Sequence, residues 1–252
     1  MNTRTIKTGF IGGSGHYLDA RLEMPAGEPT AFAVASHCFT CTKDTITVFR
    51  ISRILANLGI AVLRFDFTGL GNSEGDFAGT NFSTDIADVY AAVDFLRDNY
   101  QAASLLIGHS LGGTAMLAAA SQIDSVRAVA TIASPSQPDH VLHHFGPALT
   151  RLEQGTAVSI EVAGQHYAIE PQFLDDLRQY DMRQRLANLY KPALIFRVLH
   201  DDMVDSDNAD EISEWSQGPS RIVTLDEADH LLSNRNDALF VASEIATWFE
   251  HI

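Results

Sequence analysis

A serine flanked by glycines is the residue whose type and spacing point most directly to chemistry. The segment Gly108-His109-Ser110-Leu111-Gly112 has the form G-x-S-x-G. A strand is predicted to end at His109 and a helix to begin after Ser110. The serine would then lie on a sharp turn at a helix N-terminus, where backbone N–H groups favour a developing oxyanion. The pattern predicts Ser110 as a nucleophile; the alternative is a glycine-rich turn with a capping serine.

A serine hydroxyl is a weak nucleophile, so it needs a histidine base that is oriented by a carboxylate. Where a G-x-S-x-G turn joins a strand to a helix, the acid and then the histidine follow the serine in the chain. Of the ten histidines, only His230 and His251 lie beyond the expected acid. His251 is next to last in the closing helix and is expected to fray. His230, in a loop after a predicted strand, is therefore the predicted base.

The acid is expected just after strand 192–199, where several carboxylates compete. Asp201 is preferred because its spacing to Val204 fits a turn after a strand. Asp202 and Asp205 remain alternatives, since aspartates in such loops also serve turns and helix caps.

An acyl-transfer site also needs two backbone N–H groups that stabilise an oxyanion. The N–H of Leu111, next to Ser110, is the first candidate. The second is assigned to Phe39, in the loop after strand 30–36. Packing of the Phe39 ring in the pocket wall is the alternative role, and the two are compatible.

Apolar strands alternate with segments of helical periodicity, which indicates an α/β fold with a mostly parallel sheet covered on both faces. The predicted strands are 17–24, 30–36, 60–66, 103–109, 126–132, 192–199 and 221–225. The predicted helices are 44–58, 83–99, 110–121, 206–216 and 236–250, with Gly59 ending the first and Ser83 capping the second. Gly12-Gly13-Ser14-Gly15 predicts a hairpin turn, so the first strands should be antiparallel.

Residues 135–190 interrupt the alternation, and they are predicted to form a small cap inserted into a single domain of residues 1–252. Segments 140–152 and 171–189 have helical character, and 156–169 predict a hairpin around Ala163-Gly164. Four apolar residues of the cap are candidates for the lining of a substrate pocket: Phe145, Leu149, Phe173 and Leu174.

Composition narrows the class of protein. The 252 residues carry a formal net charge of −15, which disfavours nucleic acid and anionic lipid as partners. The N-terminal residues lack the apolar stretch of a signal peptide, and no apolar run has the length of a membrane span. A soluble, cytoplasmic protein without a membrane partner is expected.

Two further groups of residues could carry chemistry. Cys38 and Cys41 have C-x-x-C spacing, which permits a redox or metal role. The favoured interpretation is that both cysteines are small buried residues that line the loop. His140, His143 and His144 could share one helical face, and a solvated or substrate-facing helix is favoured over a metal site. No metal or organic cofactor is expected.

Together these motifs resemble the α/β-hydrolase fold superfamily of serine hydrolases, over essentially the whole chain. His37-Cys38-Phe39 is similar to the family's His-Gly-X oxyanion loop, and the stretch from Asp66 to Ser73 resembles its Asp-x-x-Gly-x-Gly-x-Ser loop. Residues 37–44 and 64–69 also resemble hydrolases often fused to a C-terminal OsmC-type domain, a partner domain not expected in this chain. The resemblance implies a mostly parallel sheet of about eight strands with a small inserted cap.

The resemblance also implies a carboxylesterase-like serine hydrolase that cleaves esters of small or aromatic substrates through an acyl-serine intermediate. Ser110, His230 and Asp201 would be its triad. Thioester, amide and carbon–carbon bond hydrolysis use the same triad and remain alternatives, as does a ligand-binding protein without turnover. The expected partner is a small-molecule ester, and a homodimer is left open.

Overall fold

The computed structural model describes residues 3–252; Met1 and Asn2, which begin the segment expected to lack a signal peptide, lie outside the described residues. The strands of the described part are Arg4–Ile11 (β1), Tyr17–Met24 (β2), Ala31–Ser36 (β3), Ile60–Phe65 (β4), Leu105–His109 (β5), Ala128–Ile132 (β6), Val158–Val162 (β7), Gln165–Ile169 (β8), Ala193–Val198 (β9) and Ser220–Leu225 (β10). Its α-helices are Ile46–Asn57 (α1), Phe82–Asn99 (α2), Leu111–Ala120 (α3), Ala148–Glu153 (α4), Pro171–Leu177 (α5), Met182–Leu186 (α6), Asp207–Trp215 (α7) and Arg235–Glu250 (α8). None of the helices described between residues 3 and 252 combines the length and the apolar character needed to cross a bilayer.

Eight strands form one sheet in the order β1-β2-β4-β3-β5-β6-β9-β10. The pairs β1·β2 and β2·β4 are antiparallel, as the predicted first hairpin requires, and the other five pairs are parallel. This architecture confirms the predicted α/β-hydrolase fold. Because β3, β5, β6, β9 and β10 are parallel, the loops that follow them emerge at the same edge of the sheet.

Each face of the sheet is covered by helices, and β3 shows how its residues divide between them. All six residues of β3 are buried. Phe32 and Val34 join the core that includes residues of α2, α3 and α7, whereas Ala33 and Ala35 join the core that includes residues of α1 and α8. A strand buried on both faces needs a continuous apolar run, and this is the pattern seen in the sequence.

The segment between β6 and β9 corresponds to the predicted insertion. It contains a 3₁₀ helix (Pro138–Phe145), α4, the hairpin β7–β8, α5 and α6. Ala163 and Gly164 form the hairpin turn with φ of 52° and 77°. The helix predicted over 171–189 is instead broken in two, because Asp181 accepts a hydrogen bond from the Gln184 N–H and so starts α6 as a separate helix.

The start of α2 differs from the prediction. Asn81, not Ser83, is the N-cap: its side chain accepts from the Thr84 N–H, and the Thr84 hydroxyl accepts from the Asn81 N–H. This reciprocal pair satisfies two N–H groups at once, which a serine two residues later cannot do. Ser83 instead donates to Asp176 of α5 and ties α2 to the inserted segment.

Candidate active site

Ser110 lies on a sharp turn between β5 and α3. Its backbone has φ 54° and ψ −132°, a conformation that residues other than glycine rarely adopt. The turn is held because the Ser110 N–H donates to the Ile132 carbonyl oxygen (2.9 Å) and the Ser110 carbonyl accepts from the Gly113 N–H (2.8 Å). A Cβ at Gly112 would overlap the His37 carbonyl oxygen, so glycine is required there. The serine is thus presented at the N-terminus of α3.

The imidazole of His230, in the loop after β10, contacts the carboxylate of Asp201, in the loop after β9. His230 Nδ1 lies 2.7 Å from Asp201 Oδ2. The other oxygen, Oδ1, accepts from the N–H groups of Met203 (2.8 Å) and Val204 (3.1 Å). The Asp201 side chain is 1% exposed and that of His230 is 11% exposed. Because both of its oxygens accept hydrogen bonds, the Asp201 carboxylate is held in one orientation. The carboxylate keeps a proton on His230 Nδ1, so His230 Nε2 is free to accept a proton.

The alternative acids do not make this contact. Within residues 3–252, Asp201 is the carboxylate hydrogen-bonded to the His230 ring. Asp202 and Asp205 are exposed, and Asp202 lies at the wall of the cavity described next. The turn after β9 directs only the first of the three aspartates toward His230, because the N–H groups of the following residues bind its carboxylate.

Ser110 and His230 line the same cavity, which has a volume of about 540 Å³. Phe39 and Leu111 also line it. Its other walls come from the inserted segment and from the loops after β9 and β10: Pro135, His140, Val141, His143, His144, Glu161, Val162, Ala163, Asp202, Met203, Val204, Asp229 and Leu231. A cavity of this size is in the range of small-molecule sites.

Two residues that line this cavity have backbone N–H groups to which the described part of the protein offers no acceptor. Among the described residues, neither the Phe39 N–H nor the Leu111 N–H has a hydrogen-bond acceptor. Leu111 begins α3, where the first N–H groups of a helix lack internal partners. The Phe39 ring packs beside His144 and Phe173 (centroids 6.1 and 5.9 Å apart), so the side chain also has the packing role considered from the sequence.

The turn that carries Phe39 has a cross-link that the sequence analysis did not predict. Cys38 and Cys41 form a disulfide, and both line the cavity. The expectation of two unlinked buried residues was wrong, because the turn between them brings the two side chains together. C-x-x-C spacing is the sequence signal that could have suggested the bond.

Three histidines of the inserted segment face the cavity. His140, His143 and His144 belong to the 3₁₀ helix, and the rings of His143 and His144 are 3.9 Å apart. Burial, with neighbouring imidazoles, lowers the pKa of His144 to about 4, so this ring is neutral near pH 7. Within residues 3–252 no group of three or more histidine, cysteine or acidic side chains is arranged to hold a metal ion. The three histidines line the cavity that contains Ser110.

The four apolar residues predicted to line the pocket lie elsewhere. Phe145, Phe173 and Leu174 are buried in the core, with Leu149 packed against it, and none of the four borders the Ser110 cavity. Phe173 instead lines a separate space of about 10 Å³ behind the Phe39 ring. Apolar periodicity marks the face of a helix that is buried, and here that face points into the protein rather than toward the substrate space.

A buried ionic cluster fixes the loops below the cavity. The Lys43 ammonium is 2.6 Å from Asp66 Oδ2 and 2.7 Å from Asp19 Oδ2, and Lys43 and Asp66 are at most 1% exposed. Asp66 also accepts from the N–H groups of Lys43 (2.6 Å) and Asn72 (2.9 Å). Asp66 begins the stretch that resembles the family's Asp-x-x-Gly-x-Gly-x-Ser loop, whereas nothing in the sequence pattern marks Lys43 as buried.

Comparisons with known proteins agree with this architecture. A model of the alpha/beta hydrolase family matches residues 31–248. Among solved structures, the esterase domain of a Rhodothermus marinus protein is 40% identical and covers 98% of each chain with a TM-score of 0.79. Monoglyceride lipase of Homo sapiens is 32% identical over 114 residues, which are 44% of this chain and 37% of the lipase. Mitochondrial palmitoyl-protein thioesterase ABHD10 of Mus musculus is 23% identical over 212 residues, which are 79% of this chain and 68% of that protein.

The family match covers most of the chain, and it includes the turn at Ser110 and the two loops that carry Asp201 and His230. The structure supplies the sheet and helices that such a match requires. The chain therefore belongs to the alpha/beta hydrolase family.

Proposed function

We propose that the protein is a serine hydrolase of the carboxylesterase type, with Ser110, His230 and Asp201 as its catalytic triad. The observation that carries the proposal is the 2.7 Å contact between His230 Nδ1 and the buried Asp201 carboxylate, on a histidine that shares a cavity with the strained Ser110. A serine, a histidine and an oriented acid in this chain order are the components of acyl transfer.

The acylation step follows from this geometry. Ser110 Oγ attacks the ester carbonyl carbon, and His230 Nε2 accepts its proton. Asp201 keeps the proton on Nδ1 and stabilises the imidazolium that forms. The imidazolium then protonates the departing alcohol, and the acyl group stays on Ser110. Water, deprotonated by His230, releases the acid and restores the serine.

The developing oxyanion is accepted by the Phe39 and Leu111 N–H groups. Both residues line the cavity, and within residues 3–252 neither N–H group has another acceptor. Donors that are already in place need no reorganisation during the reaction, and each contributes roughly 10²–10³-fold to the rate in serine hydrolysis. The dipole of α3 adds to the same electrostatic effect.

The charges around the cavity favour neutral ester substrates. Three carboxylates, Glu161, Asp202 and Asp229, lie at its walls, and no lysine or arginine of the described part does. A negatively charged group entering the cavity would be repelled, and the net charge of −15 acts in the same direction. Small or aromatic acyl groups fit the volume of about 540 Å³.

Thioester hydrolysis is the second candidate. It is supported by the similarity to the mouse palmitoyl-protein thioesterase, which extends over 79% of this chain. The same residues would perform it, with a thiol as the leaving group. The carboxylates at the cavity predict that thioesters of a neutral thiol react faster than those of coenzyme A, whose phosphates carry negative charge.

Hydrolysis of p-nitrophenyl esters with acyl chains of increasing length tests the proposal. We expect turnover by the wild-type protein and its loss in Ser110→Ala, with the chain-length profile reporting the size of the pocket. Butyryl thioesters of N-acetylcysteamine and of coenzyme A, assayed alongside, separate the two candidates. A folded wild-type protein that turns over no ester and no thioester would contradict the proposed function and favour a ligand-binding role.

A further inference from the structure

The Phe39 N–H lies in a turn that is closed by the disulfide between its neighbours. Cys38 precedes Phe39, Cys41 follows Thr40, and the bond joins the two ends. The Cys41 N–H also donates to the Cys38 carbonyl oxygen at 3.1 Å. Thr40 has φ 57°, a left-handed conformation that costs free energy in a residue with a side chain. The disulfide therefore closes a turn that contains one strained residue.

The other restraints on this turn are non-covalent, and one of them comes from the preceding residue, whose ring nitrogen His37 Nδ1 lies 2.8 Å from the Cys38 carbonyl oxygen. The Tyr167 hydroxyl, from β8, lies 3.0 Å from the Thr40 carbonyl oxygen, and it also lies 3.1 Å from the Gln165 side chain. A hydroxyl has a single proton, so these two acceptors compete for it. The Phe39 ring packs beside His144 and Phe173, and the Phe39 carbonyl oxygen accepts from the Thr40 hydroxyl at 2.7 Å. The disulfide is the covalent restraint on the turn that carries the Phe39 N–H.

The disulfide can be reached from the substrate cavity. Cys38 and Cys41 both line the space that contains Ser110. Cys41 is partly exposed, whereas Cys38 is 6% exposed. A thiolate that enters the cavity therefore meets the sulfur of Cys41 first, and Cys38 is the leaving sulfur.

We propose that Cys38–Cys41 is a thiol–disulfide exchange site in the wall of the substrate cavity, that its chemical partner is a small neutral dithiol, and that the bond holds the Phe39 N–H in the position needed for hydrolysis. This inference rests on the proposed function for its effect on rate. The carboxylates at the cavity disfavour anionic thiols, which is why the partner is assigned as neutral.

The exchange is a two-electron reaction. One thiolate of the dithiol attacks Cys41 Sγ, forming a mixed disulfide and releasing the Cys38 thiolate. The second thiol of the dithiol then attacks the first dithiol sulfur, which is bonded to Cys41 Sγ in the mixed disulfide. This closes the cyclic disulfide and releases the Cys41 thiolate. The dithiol is oxidised to a cyclic disulfide, the protein disulfide is reduced, and the two protons of the reagent end on Cys38 and Cys41.

Reduction should loosen the turn. Two unbonded sulfur atoms cannot remain at bonding distance, so Cys38 and Cys41 move apart, and Thr40 is then free to leave its left-handed conformation. The Phe39 N–H between them would no longer be held toward the cavity. Because the donor is displaced rather than removed, we expect a loss of rate smaller than the roughly 10²–10³-fold that follows deletion of one donor.

The test compares oxidised protein with protein reduced by dithiothreitol and freed of reagent without air. These are the only two cysteines of the sequence, so a change caused by the dithiol is assigned to them. We expect alkylation of both thiols only after reduction, a fall in kcat for p-nitrophenyl butyrate of about tenfold with KM changed less than about twofold, and recovery on reoxidation.

A double variant and an activity-independent measurement complete the test. Cys38→Ala/Cys41→Ala should have the kcat of the reduced protein and should not respond to dithiothreitol. Amide hydrogen exchange of residues 37–43 should become faster on reduction, while exchange in α8 stays unchanged. This second readout does not depend on catalysis.

Four outcomes decide the inference. Resistance of the folded protein to reduction would overturn the exchange site. An unchanged or higher kcat in protein with two alkylatable thiols would overturn the role of the bond in hydrolysis. Unchanged amide exchange of residues 37–43 on reduction would overturn the loosening of the turn. An oxidised protein without any hydrolase activity would instead refute the proposed function, and the alkylation and amide-exchange results would then decide the exchange site alone.

Discussion

The imidazole of His109 donates a hydrogen bond from Nε2 to the backbone carbonyl oxygen of His230, across 2.7 Å. The carbonyl oxygen can only accept, so the proton must lie on His109 Nε2. The rings of the two histidines are 4.9 Å apart, and His109 is fully buried. The residue before the proposed nucleophile therefore holds the backbone of the proposed base. This contact couples the turn after β5 to the loop after β10.

Loss of this hydrogen bond should reduce activity. In His109→Leu the carbonyl oxygen of His230 loses its donor, at a cost of about 1–3 kcal/mol for a buried group, and the loop gains freedom. We expect kcat for p-nitrophenyl butyrate to fall about tenfold, which corresponds to about 1.4 kcal/mol, with a small change in KM. His109→Gln keeps an N–H donor and should retain most of the activity. Equal losses in the two variants would contradict a role for the hydrogen bond.

The burial of His109 also predicts how stability depends on pH. Burial, together with the nearby His230, lowers the pKa of His109 from 6.5 to about 3. Between these values the unfolded chain binds a proton at this residue and the native protein does not, so the free energy of unfolding rises with pH. The wild-type protein should therefore lose stability as the pH falls from about 6.5 toward 3. Urea unfolding at a series of pH values measures this slope.

The matched variants for the pH experiment are His109→Gln and His251→Gln. The first removes the buried titrating group and should flatten the slope between pH 6.5 and 3. The second removes an exposed histidine and should leave the slope as it is. A wild-type slope in His109→Gln would show that other groups dominate the acid sensitivity.

Substitution of the aspartates after β9 distinguishes the proposed acid from its neighbours. Asp201→Asn replaces an oxygen that binds His230 Nδ1 by an amide, which favours the wrong imidazole tautomer. We expect kcat to fall about 10³–10⁴-fold, as in other serine hydrolases that lose the triad acid. Asp205→Asn is the control, because Asp205 is exposed and is outside the lining of the cavity. A larger loss in Asp202→Asn than in Asp201→Asn would refute the assignment.

The buried ion pairs of Lys43 should be essential for stability. Lys43→Met leaves Asp66 buried without its ammonium partner and should lower the free energy of unfolding by about 3–5 kcal/mol. Arg97→Met removes a cation from an exposed pair with Asp98 and should leave stability nearly unchanged. Urea unfolding of both variants tests the difference, and a Lys43→Met protein as stable as the wild type would contradict it.

Local signals explain which parts of the fold the sequence could predict. Strands buried on both faces need continuous apolar runs, and the glycines around Ser110 mark a turn with close backbone approach. Both features can therefore be recognised from the sequence alone. The pairing order of the strands was not predicted, and Asp201 was preferred over Asp202 and Asp205 only from its spacing in the loop. The N-cap at Asn81 was missed, because which of two nearby polar residues caps a helix depends on a reciprocal contact with Thr84.

The sequence does not determine which surface the apolar residues of the inserted segment face. Its apolar residues Phe145 and Leu174 indicate a buried surface, but periodicity does not say whether that surface faces a core or a ligand. Only the packing of the segment against α2 and α3 decided that these residues enter the core, and that the histidines of the 3₁₀ helix face the cavity.

The sequence by itself determined the fold class, the strained serine turn and the candidate acid and base, because these depend on residue type and on order along the chain. The tertiary structure decided the contact of His109 with His230, the buried Lys43 cluster and the Cys38–Cys41 bond. Each of these three joins residues whose proximity depends on how the backbone turns and on how separate loops meet at one edge of the sheet. No periodicity or spacing along the chain indicates the contacts of His109 and Lys43, and the C-x-x-C spacing permits the disulfide without showing that it forms.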